Sequence, residues 1–387
     1  MYDVPHLRFP EFSGEWEKNN LSKFSSKITK KNKSNFINNV LCNSANLGII
    51  PQNDYFDRDI ANADNTDSYY IIEQGDFVYN PRKSTAAPYG PVNIYNGEKP
   101  GIISPLYLCF SVFNISPSFL FYRFKSSVWH PYVYSHGDTG VRYDRVSIKD
   151  DVFFDMPIYT PTQNEQEKIA TLLSLIDERI ATQNKIIEDL KKLKSAIVDK
   201  LYSSTNGKTY SFCQLFEVVN EKNKKLAYKN VLSASQELGM IERSNINIDI
   251  KFEQESISGY KIVRKGDYVV HLRSFQGGFA FSDTTGICSP AYTILRPNDL
   301  VVYGYLSHFF TSKPFIKSLK LVTYGIRDGR SINVDEWLDM PILLPSAQEQ
   351  MRILTIVNAI DAKLHNEAKV QFCLSSQKSY LLNTMFI

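Results

Sequence analysis

The sequence predicts an α+β protein built by tandem duplication, in which two globular domains each lead into one long helix. The stretch from Pro157 to Ser203 returns in altered form from Pro341 to Phe386. In both copies apolar residues recur at steps of three and four, the period of a helix with one apolar face. Shorter blocks ahead of each stretch also return in the same order. We therefore expect two long helices of similar length that pack on one another.

The two predicted helices align without a gap at a separation of 184 residues. Asp155-Met156-Pro157-Ile158 matches Asp339-Met340-Pro341-Ile342, and Glu165-Gln166 matches Glu349-Gln350. The predicted coiled-coil seam consists of Ile169, Leu173, Ile176, Ile180 and Leu190 in the first copy and Ile353, Val357, Ile360, Leu364 and Leu374 in the second. The same period continues through Ile186, Leu193, Ile197 and Leu201, and through Val370, Leu381 and Met385.

Each predicted helix begins with a capping signal. Thr162 precedes Glu165 by three residues and Ser346 precedes Glu349 by three, which is the spacing of a capping box. About 40 residues at 1.5 Å each give a rod of roughly 60 Å.

The repeat extends into the globular domains. Gly75-Asp76 returns as Gly266-Asp267, 191 residues later, and Gly101-Ile102 returns as Gly286-Ile287, 185 residues later. Strands are predicted after each Gly-Asp pair and at Leu106–Val112 and Ala291–Leu295, and helices at Pro117–Lys125 and Tyr303–Lys320. We expect a twisted or partly barrelled sheet in each domain. The expected boundaries are 1–160 and 204–344 for the globular domains and 161–203 and 345–387 for their helices, with SSTNGK as the linker.

Composition excludes several classes of protein. A hydrophobic content of 43% supports real cores, and a net charge of +3 gives no global signal for nucleic acid. No apolar run reaches the length of a membrane span, and the first residues do not resemble a signal peptide. Five scattered cysteines without a CxxC pattern fit reduced thiols. We expect a cytoplasmic protein with no membrane partner.

Lysines cluster at equivalent places in the two copies. Six lysines and no acidic residue lie between Lys18 and Lys33, and four lysines and no acidic residue lie between Lys222 and Gln236. Lysine among polar residues suits contact with phosphate, although a solvated loop has the same composition. The candidate phosphate contacts are Lys27, Lys30, Lys31, Lys222, Lys224 and Lys225.

Arginines also recur at equivalent positions. One stands seven residues after each Gly-Asp glycine, and a pair stands in a second loop ahead of each long helix. The loops that the first kind opens, KSTAAPYGPVN and SFQGGFAFSD, differ between the copies. Arginine reads guanine edges and binds phosphate, but it also forms structural ion pairs. The candidate DNA contacts are Arg82, Arg142, Arg145, Arg273, Arg327 and Arg330.

Catalytic motifs are missing from the sequence. There is no GxGxxG turn, no complete phosphate-binding loop and no GxSxG nucleophile elbow. The histidines, with His130 and His136 in an aromatic stretch, lack metal-ligand spacing. We therefore predict no metal, no cofactor and no catalytic residues, with the reservation that distant residues can assemble a site.

These features together resemble the specificity subunit of type I restriction-modification systems. The resemblance rests on LRFPEF followed by Gly14-Glu15-Trp16, on the two Gly-Asp blocks, and on Pro-x-x-x-Pro-x-x-x-Glu-Gln before each long helix. The stretch IIEDLKKLKSAIVDKLYS is similar to that family's first conserved region, and coverage extends from residue 7 to residue 387. The second helix departs from the pattern, with Cys373, Ser375 and Ser376 where the first copy has charge.

The resemblance implies two target-recognition domains, each reading one half of a bipartite site in double-stranded DNA. It implies that the helices form an antiparallel coiled coil that spaces the half-sites and docks methyltransferase subunits. Those subunits would carry S-adenosylmethionine and methylate adenine, and separate motor-nuclease subunits would use ATP and cut unmodified DNA. The chain itself would be a non-catalytic specificity subunit.

Two other classes of function remain open from the residues alone. A coiled-coil scaffold that binds only protein would also carry two long helices, and the duplicated basic runs argue against it. A self-sufficient nuclease or methyltransferase would need a catalytic constellation that the sequence does not display.

Overall fold

The computed structural model describes residues 3–33, 36–55, 66–139, 144–235, 238–243, 254–271, 278–324 and 331–387. Contacts divide the chain into two compact units. Unit 1 comprises Met1–Gln183 with Val370–Ile387, and unit 2 comprises Asn184–Lys369. Each unit therefore contains one globular part and a portion of both long helices. The boundaries expected from the repeat stay a prediction.

The strands of unit 1 are short and lie ahead of the first long helix. In chain order they are β1 (Glu17–Asn20), β2 (Ser25–Lys27), β3 (Val40–Ser44), β4 (Gly48–Pro51), β5 (Tyr70–Ile72), β6 (Phe77–Tyr79), β7 (Val92–Ile94), β8 (Gly101–Ile103), β9 (Leu108–Val112), β10 (Asp138–Thr139), β11 (Val146–Ser147) and β12 (Pro157–Thr160). The short helices are α1 (Gln52–Tyr55), α2 (Pro117–Lys125), α3 (His130–His136) and α4 (Asp150–Phe154), with a 3₁₀ turn at Leu21–Lys23.

Two four-stranded sheets form the centre of unit 1. One has the order β2-β9-β6-β7 and is antiparallel throughout. The other has the order β4-β3-β8-β5, with β3 and β8 parallel. Aromatic residues fill the space between sheet and helices, because Phe77, Phe110, Phe119 and Trp129 share one buried cluster. The pair β1·β12 joins the start of the chain to the segment that leads into the first long helix.

Unit 2 repeats this plan after the first long helix, α5 (Gln163–Ser203). Its strands are β13 (Lys208–Ser211), β14 (Phe216–Val219), β15 (Leu232–Ser235), β16 (Gly239–Glu242), β17 (Lys261–Val263), β18 (Tyr268–Val270), β19 (Phe279–Phe281), β20 (Gly286–Cys288), β21 (Thr293–Pro297), β22 (Thr323–Tyr324), β23 (Ser331–Ile332) and β24 (Pro341–Leu344). Its helices are α6 (Phe212–Leu215), α7 (Tyr305–Phe309), α8 (Lys313–Ser318), α9 (Val334–Leu338) and the long α10 (Ala347–Thr384), with 3₁₀ turns at Gln254–Gly259 and Leu319–Val322.

The order β14-β21-β18-β19 in unit 2 corresponds to β2-β9-β6-β7 in unit 1. A parallel bridge between Val231 and Ile287 stands where β3 and β8 pair in unit 1. The predicted Gly-Asp turns have the same geometry in both units. Gly75 has φ +93° and Gly266 has φ +95°, a left-handed conformation that side chains disfavour. The structure therefore bears out the equivalence of the Gly-Asp blocks.

The two predicted long helices are present and pack together. α5 spans 41 residues and α10 spans 38. In unit 1 the ammonium group of Lys378 lies 2.5 Å from an Asp177 carboxylate oxygen. In unit 2 the ammonium group of Lys194 lies 2.5 Å from an Asp361 carboxylate oxygen. Each unit therefore fastens part of α5 to part of α10 with an ion pair.

The seam itself stays a prediction, and burial along α5 departs in its middle from the predicted apolar period. Ile186 and Leu193 are 40% and 51% exposed, and the buried or half-buried positions there are Gln183, Ile187 and Lys194. A glutamine and a lysine therefore take less exposed positions than their apolar neighbours. Val370 in α10 is likewise 40% exposed. Of the other predicted seam residues, Ile169, Leu173, Ile176, Ile353, Val357 and Leu374 are buried, and Ile180, Leu190, Ile360 and Leu364 are half-buried.

The predicted capping boxes are replaced by arginine contacts. The Ser346 hydroxyl accepts a hydrogen bond from the Glu349 amide at 3.4 Å, but the Glu349 carboxylate is bound by Arg352. The Glu165 carboxylate is bound at 2.7 and 2.8 Å by Arg8, which is far away in the chain. An ionised guanidinium outcompetes a backbone amide for these oxygens.

Three smaller predictions need correction. The helix predicted over Tyr303–Lys320 is divided into α7, α8 and a 3₁₀ turn, because the Ser312 side chain caps a new helix start. The strand predicted from Leu106 begins at Leu108, and that from Ala291 begins at Thr293. Among the described residues no helix is both long and apolar enough to span a membrane.

All five cysteines have free thiols. Cys42, Cys109 and Cys288 are buried, whereas Cys213 in unit 2 and Cys373 in unit 1 are exposed. Burial raises the pKa of the Cys109 and Cys288 thiols to about 12.

Candidate nucleic-acid interface

The two lysine runs fold into the same local structure. In unit 1 the buried Asn32 side chain donates to the Ile37 carbonyl at 3.0 Å and accepts from the Ile37 amide at 3.3 Å. In unit 2 the buried Asn223 side chain does the same with Tyr228, at 2.8 and 3.2 Å. Each asparagine therefore closes a loop in which lysines are exposed.

The asparagine loops show which lysines are equivalent. Lys31 and Lys222 precede the two asparagines, and their backbones form matching bridges. Lys30 in unit 1 corresponds to Glu221 in unit 2, which is paired with Arg264 at 3.0 Å. The positive charge of the first run is therefore only partly repeated in the second. Lys30, Lys31, Lys222, Lys224 and Lys225 are all exposed.

Lys27 is exposed at the end of β2 and is already paired with a carboxylate. Its ammonium group lies 2.5 Å from an Asp150 oxygen. The hydrogen bond to Asp150 raises the pKa of Lys27 above its ordinary value, against a smaller effect of burial. A phosphate at this position would compete with Asp150.

Two of the predicted arginines, Arg82 and Arg145, lie side by side in unit 1. The Val146 amide donates to the Pro81 carbonyl at 2.9 Å, and the Lys83 amide donates to the Asp144 carbonyl at 2.8 Å. The Arg82 side chain is 69% exposed, with its Nε 3.8 Å from an Asp144 carboxylate oxygen. The Nε of Arg145 is buried and has no hydrogen-bond partner. The remaining predicted arginines, Arg142, Arg273, Arg327 and Arg330, lie outside the described residues.

The segment from residue 80 to residue 91, here called the Arg82 loop, has a defined conformation. The Arg82 amide donates to the Asn80 side-chain oxygen at 3.0 Å, and Ser84 pairs with Ala87 in a tight turn. Gly90 has φ +85°, and a Cβ there would lie 2.1 Å from the Asn80 carbonyl oxygen. This close approach requires glycine.

A cavity of about 550 Å³ with a mixed polar and apolar lining lies beside the Arg82 loop. Arg82, Lys83 and Asn80 line it together with Tyr69 and Tyr107. Tyr107 is close enough to the predicted arginines that Arg82 and Arg145 lower its pKa, although burial raises that pKa overall. The cavity also adjoins the first lysine run, because the Tyr69 carbonyl accepts from the Asn32 amide at 3.0 Å.

The tyrosines of this cavity are not among the contacts predicted from the sequence. Tyr107 is part of the repeat, since it corresponds to Tyr292 at a separation of 185 residues. The Tyr107 amide bonds the Ser104 carbonyl, and the Tyr292 amide bonds the Ser289 carbonyl, both at 3.1 Å. Following the repeated Gly-Ile-x-Ser-Pro block two residues further would have found this pair.

This surface of unit 1 combines cationic, amide and hydroxyl groups. A guanidinium donates in a fork that matches guanine edges and phosphate oxygens, and amide and hydroxyl groups bond other base edges. Exposed lysines add attraction that does not depend on sequence. In the part of the chain that the structure describes, no cluster of side chains has the composition of a metal site.

The glutamine of each Glu-Gln pair joins a long helix to its globular part. The buried Gln166 side chain accepts from the Ser116 amide at 2.9 Å and donates to the Pro161 carbonyl at 2.9 Å. The buried Gln350 side chain accepts from the Val302 amide at 2.8 Å and donates to the Pro345 carbonyl at 3.0 Å. The glutamine of the repeated Glu-Gln motif thus links the start of a long helix to the globular part in both units.

Solved S subunits of type I restriction-modification systems are similar in fold to this chain over nearly its whole length. The HsdS subunit from Thermoanaerobacter tengcongensis is similar at 14% identity and a TM-score of 0.51, over 100% of this chain and 99% of that one. The type I restriction-modification system S subunit from M. genitalium is similar at 14% identity and a TM-score of 0.52, over 99% of both chains.

A third similar chain comes from a structure that concerns complex assembly and conformational transition of the type I R-M system. It shares 13% identity at a TM-score of 0.62, over 96% of this chain and 97% of that one. No protein-family model matches the sequence, and no curated protein matches it significantly. At these identities the likeness concerns the fold alone, and it agrees with a mixed helix-and-strand chain in which two long helices pack together.

Proposed function

We propose that this chain is the DNA sequence-specificity subunit of a type I restriction-modification complex. The observation that carries the proposal is that the two units share a backbone plan but differ in their loop sequences. Both units keep the strand order, the Gly-Asp turn and the asparagine loop. The sequences that follow Arg82 and Arg273 have no resemblance to one another. Two unlike half-sites would require such divergent loops on a common frame.

In this proposal the globular parts are target-recognition domains and the helices are an antiparallel coiled coil that spaces them. The ion pairs support the antiparallel arrangement. Asp177 and Asp361 are equivalent, as are Lys194 and Lys378, and each aspartate pairs with the lysine of the other helix. A rod of roughly 60 Å limits the half-site separation to about 18 base pairs.

The proposed DNA contacts are those of the repeat together with the tyrosine of the cavity. They are Arg82, Arg142, Arg145, Arg273, Arg327 and Arg330 for bases and phosphates, Lys27, Lys30, Lys31, Lys222, Lys224 and Lys225 for phosphates, and Tyr107 for a base edge. The presence of Asn80, Arg82 and Lys83 in the lining of the cavity and the exposure of Arg82 support this assignment.

The chain would have no catalytic role and no cofactor of its own. Methyltransferase subunits that bind S-adenosylmethionine would dock on the helices, and motor-nuclease subunits that use ATP would complete the assembly in the cytoplasm. The likeness to a chain from a type I R-M assembly supports these partners.

The test is adenine methylation mapping in cells that make this chain together with its methyltransferase partner, against cells that lack the chain. A new bipartite motif with two short half-sites around a fixed gap is the expected result. An unchanged methylation pattern, with the chain bound to the partner, would instead favour the coiled-coil scaffold. Methyl transfer by the purified chain alone would favour the third class, a self-sufficient enzyme.

A further inference from the structure

Polar side chains form a continuous chain of hydrogen bonds through the interior of unit 1, behind the Arg82 loop. The Lys125 ammonium group donates to the Asn93 side-chain oxygen, and the Asn93 amide group donates to the Asn43 side-chain oxygen at 2.5 Å. The Asn80 amide group donates to the Asn43 main-chain carbonyl at 3.1 Å. The Arg82 amide donates to the Asn80 side-chain oxygen at 3.0 Å. The chain thus leads from α2 to Arg82.

The two central asparagines are buried and fully bonded. Asn43 is 4% exposed and Asn93 is 2% exposed. The Asn43 amide group donates to the Val78 carbonyl at 2.8 Å and to the Pro91 carbonyl at 3.3 Å. Val78 lies in β6 and Pro91 directly precedes β7, so Asn43 holds the strands at both ends of the Arg82 loop. Its main-chain carbonyl holds Asn80, the first residue of that loop.

At the equivalent positions that the structure describes, unit 2 has no such chain of amides. Asn43 pairs with Ile49 across β3·β4, and Ala234 pairs with Met240 across β15·β16, so Ala234 is the counterpart of Asn43.

Asn93 pairs with Val78 across β6·β7, and Ala280 pairs with Val269 across β18·β19. Since Val78 and Val269 are equivalent, Ala280 is the counterpart of Asn93.

Ser116 and Val302 are equivalent, because their backbone amides donate to Gln166 and Gln350. Lys125 follows Ser116 at the same distance in the chain as Thr311 follows Val302, so Thr311 is the counterpart of Lys125.

Two of the counterparts in unit 2, the buried Ala280 and the partly buried Ala234, pack in an apolar cluster with Leu232 and Val269. This fold therefore does not require polar groups at these positions. Burying an amide lowers stability unless every donor and acceptor is bonded, so a polar network in one unit only needs a local reason. The Arg82 loop, which differs from its counterpart in unit 2, supplies that reason.

We infer that Asn43 and Asn93, supported by Lys125, are positioning residues that fix the Arg82 loop for recognition of one half-site. The loop conformation is set from inside the unit, through both strands that carry the loop and through Asn80. The part of this inference that concerns DNA rests on the proposed function, whereas the part that concerns the loop does not.

Hydrogen–deuterium exchange of the full-length chain tests the positioning directly. In Asn93→Ala, exchange of peptides from residues 80–91 and 144–147 should rise by roughly tenfold, because local opening becomes easier. Peptides from residues 261–270 in unit 2 should not change. Thr311→Ala is the matched control, since Thr311 is the counterpart of Lys125 outside the network. Unchanged exchange of residues 80–91 in folded Asn93→Ala would overturn the inference.

Two further variants keep the test decisive if Asn93→Ala does not fold. Asn43→Ala with Asn93→Ala installs the residues that unit 2 uses and leaves neither asparagine unpaired against the other. Lys125→Met keeps the apolar stem and removes only the donor. Faster exchange of residues 80–91 is expected in both variants, and loop exchange at the wild-type rate in either one contradicts the inference.

Methylation mapping with the same variants separates the inference from the proposed function. A relaxed or altered half-site, with the other half-site retained, is expected from the positioning role. Faster loop exchange with both half-sites unchanged would uphold the positioning of the loop and reject its contact with DNA. Loss of all methylation with normal loop exchange would overturn the positioning role, because the defect would then lie elsewhere.

Discussion

The two units fasten the long helices with the same ion pair but with different third partners. In unit 1 the Tyr122 hydroxyl donates to Asp177 at 3.0 Å, beside Lys378. In unit 2 the His308 ring stands in place of the tyrosine, with its Nε2 3.8 Å from Asp361, beside Lys194. The aspartate–lysine pair between the helices is the same in both units, whereas the third residue, from the globular part, is a tyrosine in one and a histidine in the other.

The same difference recurs deeper in each unit. The buried amides of unit 1 are replaced by alanines in unit 2, although the strands around them keep their pairing. The strand pairing is therefore set by backbone hydrogen bonds, and the buried side chains between the strands can differ from one unit to the other.

The largest difference should appear at the two equivalent glutamates, Glu165 and Glu349. Arg8→Ala should lower the free energy of unfolding by about 3 kcal/mol, because it leaves the Glu165 carboxylate buried without its partner. Arg352→Ala removes a solvent-exposed pair and should leave the free energy of unfolding nearly unchanged. Urea denaturation of both variants measures the contrast, and equal losses would contradict it.

The buried ammonium group of unit 1 should make stability depend on pH. Burial and the nearby Lys378 lower the pKa of Lys125 to about 8, against the opposing effect of Asp177. Between pH 8 and about 10.5 the unfolded chain therefore binds the proton that the folded chain has lost, and stability rises with pH. Relative to Lys125→Met, the wild type should gain on the order of 2–3 kcal/mol over this range.

The measurement for Lys125 is chemical denaturation at several pH values between 7 and 10.5. Other titrating groups cancel in the difference between the wild type and Lys125→Met. Thr311→Ala in unit 2 should run parallel to the wild type. Parallel curves for Lys125→Met would show that the ammonium group is not perturbed.

Arginine substitutions should separate the two half-sites. Arg82→Ala should reduce discrimination at one half-site by about 1–3 kcal/mol, and Arg273→Ala should do so at the other. Methylation mapping with each variant measures the effect, and Lys83→Ala in the same loop controls for loss of charge. If neither substitution alters affinity or sequence preference, these arginines do not read DNA.

The smallest effect should come from the histidine junction. Burial, and then Lys194, lower the pKa of His308 below 6.5, whereas Asp361 and a hydrogen bond with Asn358 raise it. Stability should therefore fall as pH drops below 6.5 towards the folded-state pKa. His308→Tyr, which installs the residue found in unit 1, should abolish this fall. Thermal unfolding at pH 5.5 and 7.5 measures it, and an equal fall in both proteins would exclude His308 as its source.

Local and repeated features were predictable from the sequence. The long helices, α2, the Gly-Asp turns and the basic runs all follow from short-range pattern or from comparison of the two copies. The failures have a common physical origin in contacts between distant residues. Arg8 binds Glu165, 157 positions further along the chain, and no local sequence pattern indicates that this contact replaces the predicted capping box.

The candidate site shows the same limit. Arg82 and Arg145 were identified as separate candidates, but only the fold brings them together. Tyr69 and Tyr107 directly precede β5 and β9, which belong to different sheets, and both tyrosines line the same cavity as Arg82. The burial of Gln183 and the partial burial of Lys194 in α5 were equally hidden, since polar residues carry no apolar signal.

The distribution of thiols makes the chain ready for spectroscopy without engineering. Cys213 and Cys373 are exposed, one in each unit, whereas the other three sulfhydryls are shielded. Maleimide dyes react with accessible thiolate, so a donor and an acceptor fluorophore would attach at these two positions alone. Energy transfer between them would follow the spacing of the units in real time as DNA or a partner is added.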